Sequence, residues 1–170
     1  MVTDAEARLA LSAALQRVAR WSGAETVIQS NGKAESVVVP TPAAALAIAR
    51  QLEFAARAEA IVAIRRLRGE GRSWQVIASL LGFDSLSDGG VVNPARLAFD
   101  YAAGLPRPPL FGPPQFVWVC PECAEVVGDT GPVGSPRQSQ RGHSDGCKRL
   151  AAEVDAWDGQ SAAEMRDEGT

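Results

Sequence analysis

The sequence is most informative in what it holds little of. Its 170 residues include one histidine, three cysteines, one tyrosine and two methionines. Three thiols cannot all pair with one another, and no basic-then-apolar leader precedes them, so a disulfide framework is not expected. No apolar run approaches eighteen residues, so no membrane span is expected, and the acidic opening Thr3-Asp4-Ala5-Glu6 points to a cytoplasmic protein. Lysine is also scarce: only Lys33 and Lys148 stand among 17 basic residues. With the abundance of Ala, Gly and Pro, that bias suggests a GC-rich bacterial genome. No internal repeat and no phosphate-binding glycine loop is visible. At 46% hydrophobic and 22% charged, the composition is that of an ordinary globular chain, long enough for one domain plus a small module.

The scarce residues are concentrated. Cys120-Pro121-Glu122-Cys123 is followed, after nineteen residues, by His143-Ser144-Asp145-Gly146-Cys147. This is C-x2-C followed by H-x3-C, two close pairs of soft or borderline donors. Two intervening residues let the backbone fold back so that both side chains of a pair reach one ion, and the second pair closes a tetrahedron. Cys120, Cys123, His143 and Cys147 are therefore the expected ligands of Zn2+. Four protein donors fill the coordination sphere, so a structural zinc is expected and no enzyme activity. With His143 consumed, no histidine remains as a base. The His-x-Glu that precedes Pro-Cys-x-x-Cys in zinc deaminases is also absent.

Around these ligands, Phe116-Val117-Trp118-Val119 reads as a strand and Val126-Val127 as its return. Leu150, Val154 and Trp157 recur on one helical face. A hairpin followed by a ligand-bearing helix resembles a treble-clef zinc finger. At about forty residues such a module cannot bury much core, so the metal supplies much of its folding free energy. On this view, metal loss unfolds the region after Gln115 and spares the helices before Leu105.

Upstream, Thr3-x-x-Glu6 has the form of a capping box opening a helix to about Arg20, with Leu11, Leu15 and Val18 on one face. Asn31-Gly32, between the β-branched runs Thr26-Val27-Ile28 and Val37-Val38-Val39, signals a hairpin. Thr41-Pro42 caps an alanine-rich stretch reaching Arg68, as one long helix or as two with a break near Ala58. Ser73 caps a short helix ending at Gly82. Asn93-Pro94 opens another, whose apolar face is Leu97 with Tyr101 or Ala98 with Ala102.

The stretch from Ile61 to Arg68, the Gly-x-Gly-Arg-Ser-Trp that follows, and Val76-Ile77-Ala78-Ser79-Leu80-Leu81-Gly82 resemble the first two helices of a bacterial helix-turn-helix. Together with the CxxC…HxxxC module, residues 58–157 resemble a group of uncharacterised actinobacterial helix-turn-helix proteins. The chain departs from that pattern after Gly82, where ten residues precede the third helix. The resemblance implies a mainly α fold with small β-hairpins: a helix-turn-helix-like domain and a treble-clef-like zinc module. The expected divisions are an N-terminal helix and hairpin (1–40), the helical domain (41–104), a Pro-rich linker (105–115), the zinc module (116–158) and an acidic flexible tail (159–170).

Six arginines oppose three glutamates between Arg50 and Arg72, whereas six acids oppose one arginine from Glu153 onward. The expected function is DNA binding by a bacterial transcription regulator, with double-stranded DNA as partner. Arg65, Arg66, Arg68 and Arg72 would meet phosphates, Ser73 and Gln75 would anchor the second helix, and Asn93 and Arg96 would read bases. Against this, the segment from Asp84 to Gly104 carries three aspartates and one arginine, a charge that repels phosphate. The alternative is a protein-interaction adaptor using both elements as scaffolds, with homodimer formation through the edge of the Asn31-Gly32 hairpin.

Overall fold

The computed structural model describes residues 3–30, 36–86, 92–104 and 114–167. The chain divides into two compact units, Met1–Glu59 and Ala60–Thr170. Helix α2 (Pro42–Gly69) carries the boundary and is a single helix of 28 residues, without a break near Ala58. No helix among the described residues is long and apolar enough to cross a membrane.

In the first unit, helix α1 (Asp4–Ser22) begins as its sequence indicates. The Thr3 hydroxyl accepts the Glu6 N–H at 3.3 Å, and the Glu6 carboxylate accepts the Thr3 N–H at 2.8 Å. These bonds satisfy donors that the first helical turn leaves without partners. Strands β1 (Thr26–Ser30) and β2 (Ser36–Pro40) pair antiparallel with Val27 opposite Val39. The Asn31-Gly32 turn lies outside the described residues. The Thr41 hydroxyl then accepts the Ala44 N–H, opening α2. Among the described residues of this unit, only Ala19 and Ile48 are buried apolar side chains.

The second unit contains the end of α2, α3 (Trp74–Leu80), a 3-10 turn at Phe83–Leu86 and α4 (Pro94–Ala103). It continues through β3 (Phe116–Val119), β4 (Val126–Asp129), the single turn α5 (Pro136–Ser139), β5 (Gln140–Arg141) and α6 (Lys148–Asp167). The sheet runs β3-β4-β5, antiparallel throughout. Alternation along β3 sends Phe116 and Trp118 inward, where they join Ile64, Trp74, Ile77 and Phe99 in one cluster with Cys120 and Cys147. Trp74 sits at its centre, edge-on to Phe99 at 5.3 Å and to Phe116 at 5.5 Å.

This shared core corrects the expected division into a helical domain and a separate zinc module. A hairpin and a helix around one ion have little apolar surface to bury against each other, whereas β3 has two large aromatics that fill the space between α2, α3 and α4. The linker prolines up to 113 lie outside the described residues. Of the two faces considered for α4, the buried one is that of Ala98 and Ala102, with Ala95 and Phe99. Ala78, on α3, is fully buried in the same core.

Two further details bear on the site. Gly131 has φ +104°, and a Cβ there would lie 3.0 Å from the Phe99 ring, so the chain leaving β4 passes directly over that ring. Helix α6 continues to Asp167, so 159–167 are helical where a flexible tail was expected, and 168–170 lie outside the described residues. One internal glycine costs about 1 kcal/mol, and the Ala, Glu, Met and Arg that follow are good helix formers.

Phe99 is wholly buried and contacts both Trp74 and the loop over it. Phe99→Ala should lower the stability of residues 60–170 by about 3–5 kcal/mol, read from urea unfolding. A change under about 1 kcal/mol would refute the single shared core.

Candidate metal centre

Cys120 follows β3 directly. Its N–H bonds to the Glu125 carbonyl at 2.9 Å and its carbonyl accepts the Ala124 N–H at 2.8 Å, which folds the chain back and brings Cys123 beside it. Ala124 takes φ +58° to complete this turn. The second pair comes from the other side of the sheet. Gly142, at φ +105°, precedes His143; a Cβ there would stand 2.4 Å from the Val126 carbonyl oxygen, so only glycine lets β5 leave the sheet this closely. Cys147 ends the turn from Ser144, and its carbonyl accepts the Ala151 N–H in the first turn of α6.

The four ligand atoms lie within 4.8 Å of one another. Cys120 Sγ and Cys147 Sγ are 3.8 Å apart, and Cys123 Sγ and His143 Nδ1 are 3.6 Å apart. A tetrahedral ion with metal–sulfur bonds of about 2.3 Å and a metal–nitrogen bond of about 2.0 Å requires edges of about 3.8 and 3.5 Å. The residues fit a metal of that size, and the Cys3His cluster is geometrically capable of holding it. The backbone N–H groups of Ser144 and Glu125, with His143 adding to them, hold the Cys123 thiol down at about 5, which favours the thiolate that metals bind. Burial pushes the Cys120 thiol up.

The surroundings complete the design of the cluster. With Nδ1 directed at the cluster, His143 Nε2 faces Gln140 Oε1 at 3.4 Å, so the imidazole proton on Nε2 has an acceptor. Gln140, itself buried, accepts from Arg149 at 2.9 Å and donates to Glu153 at 2.7 Å. The Arg149 guanidinium lies 4.3 Å from the centroid of Trp118, whose ring meets His143 edge-on. Burial pushes the Arg149 pKa down, and the Glu153 carboxylate opposes that effect. Arg149 also donates to the carbonyls of Gly69 and Arg68, at the end of α2.

Here a second correction arises. Arg68, expected to meet phosphate, is 2% exposed and forms a buried ion pair with Asp129, at 2.8 Å. It also contacts Glu153 at 3.4 Å and stacks over Trp74, whose Nε1–H donates to the same Asp129 carboxylate. Hydrogen bonds thus run from His143 through Gln140 and Glu153 to Arg68, Asp129 and Trp74. Sequence reasoning missed Gln140, Asp129 and Glu153. The signal available for Asp129 was alternation: Val127 and Asp129 share the inward face of β4.

The other residues expected to contact DNA are spread among different tasks. Arg65 is exposed and donates to the Val117 carbonyl at 3.1 Å. Arg66 and Arg72 are exposed. Ser73 caps α3 through the Val76 N–H, and Gln75 donates to Asp84. Asn93 caps α4 through the Arg96 N–H, and Arg96 is paired with Asp100 at 3.0 Å over the Phe99 ring.

In comparisons with known proteins, the chain matches no family model, no curated protein and no solved structure.

Because Cys120 and Cys147 belong to the core that holds α3 and α4, stripping metal from Zn2+-loaded protein with a chelator should expose protease sites in α3 and α4 together with those after Gln115. Cleavage confined to 116–158 would restore the separate-module picture. Gln140→Leu should weaken Zn2+ affinity about 10–100-fold in competition with a chromogenic chelator, since it leaves the His143 Nε2–H unpaired.

Proposed function

We propose that the chain is a non-enzymatic protein-interaction module built on a structural zinc ion. Zinc suits a closed Cys3His set better than the oxygen-preferring divalent ions do, and four protein donors leave no position for water or substrate. The observation that carries the interaction reading is the use already made of the would-be DNA readers. Ser73 and Asn93 are spent on helix caps, Arg68 on a buried ion pair and Arg96 on Asp100. A reading helix needs free side chains at the base edges. The helix-turn-helix-like helices serve here as a scaffold, a use that fold alone neither requires nor forbids.

The second reading, a DNA-binding transcription regulator, is favoured by the three exposed arginines Arg65, Arg66 and Arg72 at and just beyond the end of α2. It also draws on the helix-turn-helix resemblance of residues 58–82. The two readings differ in their response to salt. Duplex binding by arginine–phosphate contacts releases counterions and falls steeply with ionic strength, and an apolar protein contact does not.

Titrating zinc-loaded protein into labelled random-sequence duplex, at low and at moderate salt, is the direct test. The interaction reading expects no sequence enrichment on selection, and weak binding that Arg72→Ala scarcely alters. An enriched motif lost on Arg96→Ala would make the chain a sequence-specific regulator and overturn the interaction reading.

A further inference from the structure

The first unit has little core of its own. Among its described residues only Ala19 and Ile48 are buried apolar side chains, whereas Leu9, Trp21, Ile28, Leu46 and Phe54 are each more than half exposed. Large apolar side chains scattered singly on a surface are ordinary, but a group of them on one face marks a contact site. Such a face runs along the first half of α2. At about 100° per residue, Ala43, Leu46, Ala47, Arg50, Glu53 and Phe54 all project within about 60° of the direction of Arg50. Ile48 points about 160° away on the same count, and it is the residue of this stretch that the unit buries.

This face is a stripe with a large apolar residue towards each end and two opposite charges between them. Leu46 and Phe54 are 74% and 61% exposed, and Arg50 and Glu53 are exposed as well. Arg50 lies over the Phe54 ring at 5.3 Å, and a shallow hollow of about 540 Å³ runs past Ala43, Leu46, Ala47, Arg50 and Glu53. The two alanines leave room for another helix, whose axis would come within about 8–10 Å.

The charges decide what fits. A wholly acidic partner would be repelled by Glu53, and a wholly basic one by Arg50. A second α2 laid parallel in register would set Arg50 beside the partner's Arg50. Laid antiparallel, the same stripe presents its charges in reverse order. Arg50 of each copy then faces Glu53 of the other, and Leu46 of each comes within one turn of Phe54 of the other. We propose that two copies of this chain associate through antiparallel pairing of this α2 stripe. The surface is its own complement, so the contact closes as a twofold pair. It lies wholly on the first unit, apart from the hairpin edge, and it holds under either reading of the second unit.

Sedimentation velocity of the zinc-loaded full chain, up to about 100 μM, tests this at a concentration where micromolar dimers are populated. A dimer is expected. Leu46→Glu should weaken it about tenfold or more, since it sets a carboxylate against an apolar contact. Arg50→Glu and Glu53→Arg should each weaken it about as much, because each brings like charges together twice over. Mixing these two proteins should restore association as a heterodimer, and so should placing both changes in one chain. Either recovery also shows that the single variants are folded. A chain that stays monomeric at every concentration overturns the proposal. So does a dimer indifferent to all these changes, the outcome expected of pairing at the hairpin edge.

Discussion

Arg68 and Asp129 lie against each other out of water, 61 residues apart in sequence, and the second unit is arranged to make that tolerable. A buried charge without a partner costs several kcal/mol, so each of these groups needs the other and further hydrogen bonds as well. Asp129 receives Arg68, the Trp74 indole and the Gly131 N–H. Arg68 in turn reaches Glu153 and the Arg72 carbonyl, and lies over Trp74. The pair joins the end of α2 to β4, and Trp74 brings α3 to the same point. Such a network adds less to net stability than its contact list suggests. It does specify one arrangement, because most displacements would leave a charge unpaired.

The metal cluster is the second constraint, and the two are connected. Gln140 and Glu153 stand between His143 and Arg68, while Arg149 touches Gln140, Glu153, Trp118 and the last carbonyls of α2. Metal coordination is often described as folding a small finger by itself. In this chain the ligands Cys120 and Cys147 are core residues of a larger unit, packed with Trp118, Val127 and Phe99. An ion held there would stabilise the helices as well as the hairpin, because both rest on the same side chains.

Covering one face of the three-stranded sheet so fully leaves the other face exposed among the described residues. Phe116, Trp118 and Val127 can point inward only if Val117, Val119 and Val126 point outward, since the strand period is two. Val117, Val119 and Val126 therefore stay 45%, 60% and 60% exposed, with Arg141 beside them on the same side of the sheet. The same geometry ties the Nε–H of the exposed Arg65 to the Val117 carbonyl, so that residue also covers an edge of the sheet.

How much of this was legible in the sequence follows from the range of the interactions concerned. The four donors could be named because their chemistry is rare in this chain and their spacing is local. The capping box of α1, the caps at Ser73 and Asn93 and the β3–β4 hairpin were legible for the same reason: each is settled within a few residues. The continuity of α2 was not, since nothing local in its alanine-rich middle decides between one helix and two that meet near Ala58. Nor was the fate of Arg68, which reads in sequence like its exposed neighbours Arg65 and Arg66. By itself, the sequence determined the four donors that converge, the caps and most of the helices and strands. Only the tertiary structure decided that the helices and the Cys3His cluster share one core, that Arg68 is buried, and that three valines of the sheet stay exposed. Burial of a charge depends on a partner that the fold brings from 61 residues away, and no local pattern records it.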